Sequence, residues 1–546
     1  MNASDVRSSV VSAGAPVHKI PDDVLREIFL FSLRNTPVRP SATQGPLQVS
    51  QVCSGWRAVA HDYCRLWNSL VIERPYLSWE LVEETTRWLQ RSNNIPVDFH
   101  LIITSNEPIR IRTLRACLDQ GGGYTRNLMW SQMDAVRHDD QRRARYEAEL
   151  KDLLSNASPL PPPNTLSKML KPTQASVTRL VLCGVPVSNL AHLPRRAFPH
   201  LERLVVVVGD KLECWEFDRI TRGPVKAFLD CPSLRYVALK RFFREPGNEF
   251  IQLPLHQLTH FIDCGPFYDA TDHPCKNIAR LLSATKDLRL LHVSFDDDYE
   301  ADFPPELADC RIAFPSLESL SIDSADLSEA GEQFSSLFAF PKLQSLRYHG
   351  CATDIENLLR NSGETLTHLS LTLADDLPED FIELLSQQCP HLRSLEIIYD
   401  VLCLVLHTLS SASLLPNLEV MAVRFEYPQT YVDDEIAAGF VIPAAHGFFQ
   451  SRIGARSTVQ EHPQRFRTFK IVDGEDSRDA AEHIRTFLER CRDEVGVQVE
   501  VVVERFACTN GCVDSLLSDI ELAHWDGLSA LYQHPLDDFG DFQTPF

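Results

Sequence analysis

The chain has 546 residues and a formal net charge of −22 at pH 7, a balance that excludes general binding to nucleic acid or to an anionic membrane, both of which want a net basic face. Hydrophobic residues make up 44% and charged residues 23%, as in folded globular proteins, which excludes wholesale disorder. Residues 1–19 lack the apolar h-region of a signal peptide, and no apolar run approaches the roughly 18 residues of a membrane span. The fifteen cysteines form no Cys-x-x-Cys pair; Cys183, Cys231, Cys264, Cys351, Cys389 and Cys403 read as small core residues of a reducing compartment. The expected location is cytoplasmic and/or nuclear.

Residues 1–17 are small and polar and read as a disordered lead-in. Ile20 to Trp67 then carries two amphipathic stripes. Pro21 suits the start of a helix because its missing N–H would be unpaired there, and Asp22 and Asp23 complement the positive end of the helix dipole. Val24, Leu25, Ile28, Phe29 and Leu33 recur at helical spacing, and Val49, Val52, Cys53, Trp56 and Val59 repeat the pattern in a second segment. So small a piece buries little surface alone, which suggests that one stripe is meant for another protein.

The order Ile20-Pro-x-x-Val-Leu-x-x-Ile-Phe29, Val52-Cys-x-x-Trp-Arg-x-Val-Ala60 and Leu66-Trp67 resembles the F-box, the motif by which substrate receptors dock on the Skp-family adaptor of cullin-based SCF ubiquitin ligases. The departures are Ile20, where Leu is usual, and a long insert from Arg34 to Pro46. The resemblance implies that Ile20, Pro21, Val24, Leu25, Ile28, Phe29, Val52, Trp56 and Trp67 form or support the adaptor contact, within an F-box spanning 18–73. Docking should be more sensitive than folding to a change at Leu25.

Residues 74–118 read as a first helix–strand repeat, with helical spacing through Leu81, Val82, Thr85, Trp88 and Leu89 and alternation at Val97, Phe99 and Leu101. Residues 119–174 read as a flexible insertion. Its Gly121-Gly-Gly lacks the Gly-Lys-Ser/Thr ending of a phosphate loop.

From 175 to 505 a Leu-x-x-Leu-x-Leu-like pattern recurs, centred on Leu180, Leu204, Val237, Leu291, Leu320, Leu346, Leu369, Leu395 and Met421, with weaker copies at Phe261 and Phe469. Phe198, Cys231, Phe314, Phe340, Cys389 and Leu415 each stand before a Pro that leads into a copy. This resembles a leucine-rich-repeat solenoid, each unit one short strand and one helix, although the family's Asn or Cys at the end of the repeat is not regularly present. The step from Met421 to Phe469 is about twice the period, so either a degenerate repeat or a loop is expected in 427–462. A helix over 480–491 and a strand over 497–503 read as the cap, and 506–546 as cap remainder and acidic tail. The expected class is α+β overall: a small all-α F-box, then an α/β leucine-rich-repeat solenoid with a horseshoe shape.

No catalytic constellation assembles: there is no Gly-x-Ser-x-Gly, no His-Glu-x-x-His and no phosphate loop with its Lys. Asp296-Asp-Asp298 reads as a solvated loop, and Cys508, Cys512 and His524 are too loosely spaced to define a zinc site. No cofactor and no metal is expected. Residues flanking the buried Leu positions should line the concave face. There Arg203, Lys240, His292, Arg347, His349, His368, Arg424 and Lys470 point to a partner segment that is acidic or phosphorylated, because the face carries five Lys or Arg against two acids. The functional expectation is a non-catalytic substrate-recognition subunit of an SCF-type ligase, with a cullin reached through the adaptor; the alternative is an F-box scaffold acting with that adaptor outside a ligase.

Overall fold

A computed structural model describes residues 20–32, 45–74, 77, 79–103, 148, 151, 164–185, 187–207, 224–240, 251–266, 274–295, 312–324, 329–373, 377–378, 380–410, 414–424, 441–454, 466–473, 478–496 and 499–505. The chain divides into two compact units, Met1–Leu201 and Glu202–Phe546.

The first unit opens with α1 (Asp22–Ser32). Pro21 precedes the helix rather than beginning it: its carbonyl accepts the Leu25 N–H at 3.0 Å, which makes it the cap. The second amphipathic segment, expected as one helix, is broken into α2 (Gly45–Ser50) and α3 (Ser54–Asp62). Cys53 causes the break. Its backbone is extended and its Sγ accepts the Trp56 N–H at 3.4 Å, so it caps α3 instead of continuing α2.

A 3-10 turn, Cys64–Trp67, then drives Trp67 into the interior at 0% exposure. There its Nε1 donates to the Ala60 carbonyl at 2.8 Å, Trp88 of α4 (Trp79–Gln90) meets it edge-on at 4.7 Å, and the Arg91 guanidinium lies 4.4 Å from its ring. This one side chain ties α3 to α4.

Strands β1 (Ser69–Arg74), β2 (Val97–Ile103) and β3 (Val177–Cys183) form a parallel sheet in this unit with Leu70, Phe99 and Leu180 side by side. Strand–helix–strand stacking therefore begins at Ser69, with Leu70, Val71 and Ile72 in the first strand. Helices α5 (Thr165–Leu170) and α6 (Val187–Ala191) complete the unit, with α5 packed on α4. Apart from residues 148, 151 and 164–174, the expected insertion 119–174 lies outside the described residues, as do 1–17 and 506–546. Gly184 sits at φ +63°, and an added Cβ would collide with the Ile103 carbonyl oxygen; only glycine fits the exit of β3.

The second unit is an eleven-strand parallel sheet in sequence order. Its strands are β4 (Arg203–Val207), β5 (Tyr236–Lys240), β6 (His260–Pro266), β7 (Leu290–Phe295), β9 (Ser319–Ser324), β11 (Ser345–Gly350), β12 (His368–Leu373), β13 (Ser394–Ile398), β14 (Val420–Arg424), β15 (Thr468–Asp473) and β16 (Glu500–Arg505). The two-residue strands β8 (Ile312–Ala313) and β10 (Phe338–Ala339) pair only with each other. The register sets Leu204, Val237, Phe261, Leu291, Leu320, Leu346, Leu369, Leu395, Met421 and Phe469 in one buried ladder that ends on Val501. These are the central residues that the periodicity picks out.

Each return to the sheet uses the same local chemistry. In the Φ-Pro-x-Leu turns, the N–H of Leu234, Leu343, Leu392 and Leu418 donates three residues back to Cys231, Phe340, Cys389 and Leu415 at 3.0–3.2 Å, with Pro at the position where its fixed φ suits a type I turn. Just beyond, one carbonyl accepts two N–H groups of the next strand entry. Glu202 receives Arg235 and Tyr236, Arg235 receives Thr259 and His260, and the series runs on to Glu419, which receives Arg467 and Thr468.

Helices α7 (Pro274–Ala284), α8 (Glu329–Leu337), α9 (Ala352–Ser362), α10 (Phe381–Gln388), α11 (Leu402–Leu409), α12 (Ile442–Gly454) and α13 (Arg478–Val495) each touch the next. They lie on the ladder side, where the Tyr348 hydroxyl donates to Asp354 of α9. The long step between Met421 and Phe469 is one extended connection, since β14 and β15 are direct neighbours and α12 lies between them in sequence. The whole is mixed α/β with long parallel pairing, compatible with an α/β solenoid. Among the described residues no helix is long and apolar enough to cross a membrane.

Trp67→Ala removes the buried ring that joins α3 to α4. It is expected to cost about 3–5 kcal/mol, read as a lower urea midpoint for the first unit.

Candidate functional site

Each unit presents one candidate surface. On the first, α1 is apolar on both sides. Leu25 and Phe29 face inward at 4% and 0% exposure, and Phe29 packs on the half-buried Trp56 with ring centroids 5.0 Å apart. Val24, Ile28 and Phe31 face outward at 44%, 44% and 66%, and Val52, between α2 and α3, is 56% exposed. Pro21 is exposed and Ile20 half-buried at the start of the helix.

Of the nine residues that the F-box resemblance assigns to the adaptor contact, Leu25, Phe29 and Trp67 are therefore interior and can act only as support. The expectation that Leu25 governs docking more than folding is corrected by its burial. Phe31 was missed, although Val24, Ile28 and Phe31 stand at i, i+4 and i+7, the spacing of one helical stripe.

The second surface is the sheet face away from the helices. At its near end the Arg203 guanidinium lies 4.8 Å from the Tyr236 ring, which stacks on His260 at 4.4 Å; the register Arg203–Tyr236–His260 aligns the three. Burial, with Arg289 and Arg203 nearby, pushes the His260 pKa down to about 4. Farther along, Arg347, Ser370 and Glu396 share one row of the sheet, with Arg424 two residues beyond Ala422, the register partner of Glu396. Ser370 Oγ donates to Glu396 Oε1 at 3.0 Å, and Arg424 is ion-paired to the same oxygen. Burial pushes the Glu396 carboxyl up, but Arg424, Arg347 and the hydrogen bonds from Ser370 and Arg424 outweigh it and hold the group below its ordinary value.

These positions bear on the eight residues expected to meet a partner. Arg424 is 7% exposed and engaged with Glu396, and His292 is 1% exposed; neither is an open contact. Arg203, Arg347, His349 and Lys470 are half-buried, and His368 is exposed with its Nδ1 hydrogen-bonded to Thr367 Oγ1 at 2.8 Å. The backbone of Lys240 lies in β5, and its side chain is outside the described residues. Strand β16 adds Glu500 to this face by register, so the expected excess of bases over acids shrinks.

The thiols of Cys231 and Cys389 are buried, which pushes both up to about 12 and leaves them inert as nucleophiles. Cys403, expected in the core, is half-buried. Among the described residues no group of three His, Cys, Asp or Glu gathers as metal ligands; Asp296–Asp298, Cys508, Cys512 and His524 lie outside them. No family model matches the sequence, and no curated protein matches it.

The unfolded chain takes up a proton at His260 near the ordinary value of 6.5, while the fold refuses it until about 4. The stability tied to this group is complete above 6.5 and is lost as pH falls across that window. His260→Asn should flatten the decline between those two values when urea stability is measured at steps across them.

Proposed function

We propose that this chain is the substrate-recognition subunit of an SCF-type ubiquitin ligase. In this reading the segment resembling an F-box docks on the Skp-family adaptor, and the parallel repeats, which resemble leucine-rich repeats, hold a protein substrate. The observation that carries it is the outward stripe of Val24 and Ile28, each 44% exposed on a helix whose inner face is already filled by Leu25 and Phe29. A stripe so placed gains stability only by meeting another surface. An adaptor contact of standard size buries roughly 1,200–2,000 Å² in total and is governed by a few anchors near its centre.

Catalysis then belongs to other subunits. The contribution of this chain is effective concentration: a substrate held beside a charged ubiquitin carrier presents its lysine as though in an intramolecular reaction. The chain needs two separate surfaces for this, one for the adaptor and one for the substrate, and no group that changes bonds.

Ile28→Asp alters an exposed position and should leave the unfolding midpoint unchanged while weakening binding of the purified chain to a Skp-family adaptor by about 2 kcal/mol or more, the scale of an interface anchor. Titration calorimetry against the adaptor reads the loss. Unaltered binding would refute the docking role, and capture of adaptor without cullin from cells would point to the scaffold instead.

A further inference from the structure

Positive charge on this chain is carried mostly by one of the two cations available. The sequence holds 42 Arg and 11 Lys, and residues 20–150 hold 16 Arg and no Lys, although Lys is ordinarily among the commonest residues. Packing accounts for part of this. Arg26 lies over the Tyr63 ring at 5.7 Å and Arg91 over the Trp67 ring at 4.4 Å, and Arg57 Nε donates to the Ser50 carbonyl at 3.0 Å; a planar guanidinium stacks and donates in ways that an ammonium does not. Arg65 and Arg87 are different. Both are exposed, and Arg87 only pairs with Glu83 four residues back at 3.6 Å, a role that Lys fills equally well on a helix. Nothing in the fold asks for arginine at these two positions.

Under the ligase reading, on which this inference rests, a lysine on the receptor has a consequence that an arginine lacks. The uncharged Nζ of a lysine attacks the thioester carbonyl at the C-terminus of ubiquitin on its carrier. A C–N bond forms, the C–S bond breaks, the carrier thiolate leaves and the nitrogen gives up its proton to water. A guanidinium stays charged and has no free electron pair for this step. Unlike a substrate, the receptor does not leave after modification, so every amine on it stays at high effective concentration beside the carrier. A ubiquitin joined near α1 or α3 would also stand where the adaptor docks.

We propose that the docking end of this chain is kept free of acceptor amines, with arginine in place of lysine at exposed positions such as Arg65 and Arg87, so that the ligase does not modify its own receptor there. The charge is kept and the nucleophile is removed. Exposed lysines occur only outside this run, as at Lys171, Lys226, Lys286 and Lys342.

The test assembles the full chain with a Skp-family adaptor, a cullin-based core and a carrier charged with ubiquitin, and maps the modified lysines by peptide mass spectrometry. Arg65→Lys and Arg87→Lys keep the charge and should keep the thermal midpoint. Each introduced amine is expected to be modified about tenfold more than Lys171, Lys226, Lys286 or Lys342 of the same chain. Modification no greater than at those four overturns the proposal and reduces the arginine excess to composition. A flexible lysine-bearing tag after Phe546 separates this outcome from failure of the ligase reading. A tag modified only when the adaptor is present upholds that reading, and the two variants then decide the proposal; a tag left unmodified overturns both.

Discussion

A parallel sheet in sequence order imposes one demand on everything else: each connection must return the chain to the same level, beside the strand it has just left. The second unit meets it with backbone chemistry. The carbonyl before each strand accepts two N–H groups from the entry to the next, from Glu202 through to Glu419. In four of the entries the Φ-Pro-x-Leu turn presets the approach, with Cys231, Phe340, Cys389 and Leu415 buried to 2% or less. Because these contacts fix the start of the strand rather than the length of the connection, the chain between Met421 and Phe469 is free to be long without disturbing the register of β14 and β15.

That fixed level divides the residues of each strand between two kinds of surface. On the helix side the ladder from Leu204 to Val501 is apolar in every strand, since a polar group there would lose water and find no partner. On the other side the chemistry changes from strand to strand, but it is far from idle. Glu396 collects Arg424, Arg347 and Ser370 from three neighbouring strands. A buried ion pair adds little net stability, because desolvation offsets most of the attraction; removing one partner is costly, because the other charge stays behind. The network thus fixes the relative positions of β11 to β14 more than it strengthens them.

The ladder was legible in the sequence because it depends on two local quantities, the alternation within a strand and the spacing between strands. Phe261 and Phe469, the weakest copies of the pattern, fall in register with the rest. What was not legible depends on contacts between strands or on a choice between adjacent residues. Arg424 reads from the sequence as a cation facing a partner, and only the register places Glu396 within its reach. Val24 and Leu25 are neighbours in one stripe, and only packing shows that Leu25 turns inward while Val24 does not. Cys53 fits the helical spacing, yet its Sγ caps α3 and ends the continuity with α2. Phe31, at i+7 from Val24, was readable from spacing alone.

The position of Trp67 bears on how a docking segment could serve the rest of its unit. Effective concentration is highest when the link between two binding surfaces is short and stiff, and falls as the link loosens. Trp67 lies only two residues before β1, and it is held by the Ala60 carbonyl on one side and by Trp88 and Arg91 on the other. The outward stripe of α1 is therefore seated on the same core that carries β1 and β2, through Phe29 and Trp56. A partner bound at Val24, Ile28 and Phe31 would be held at a set distance from that sheet, with no hinge at residues 64–67. In the proposed reading, the residues that the F-box resemblance counts as contacts but that the structure buries are the ones that make the docking stiff.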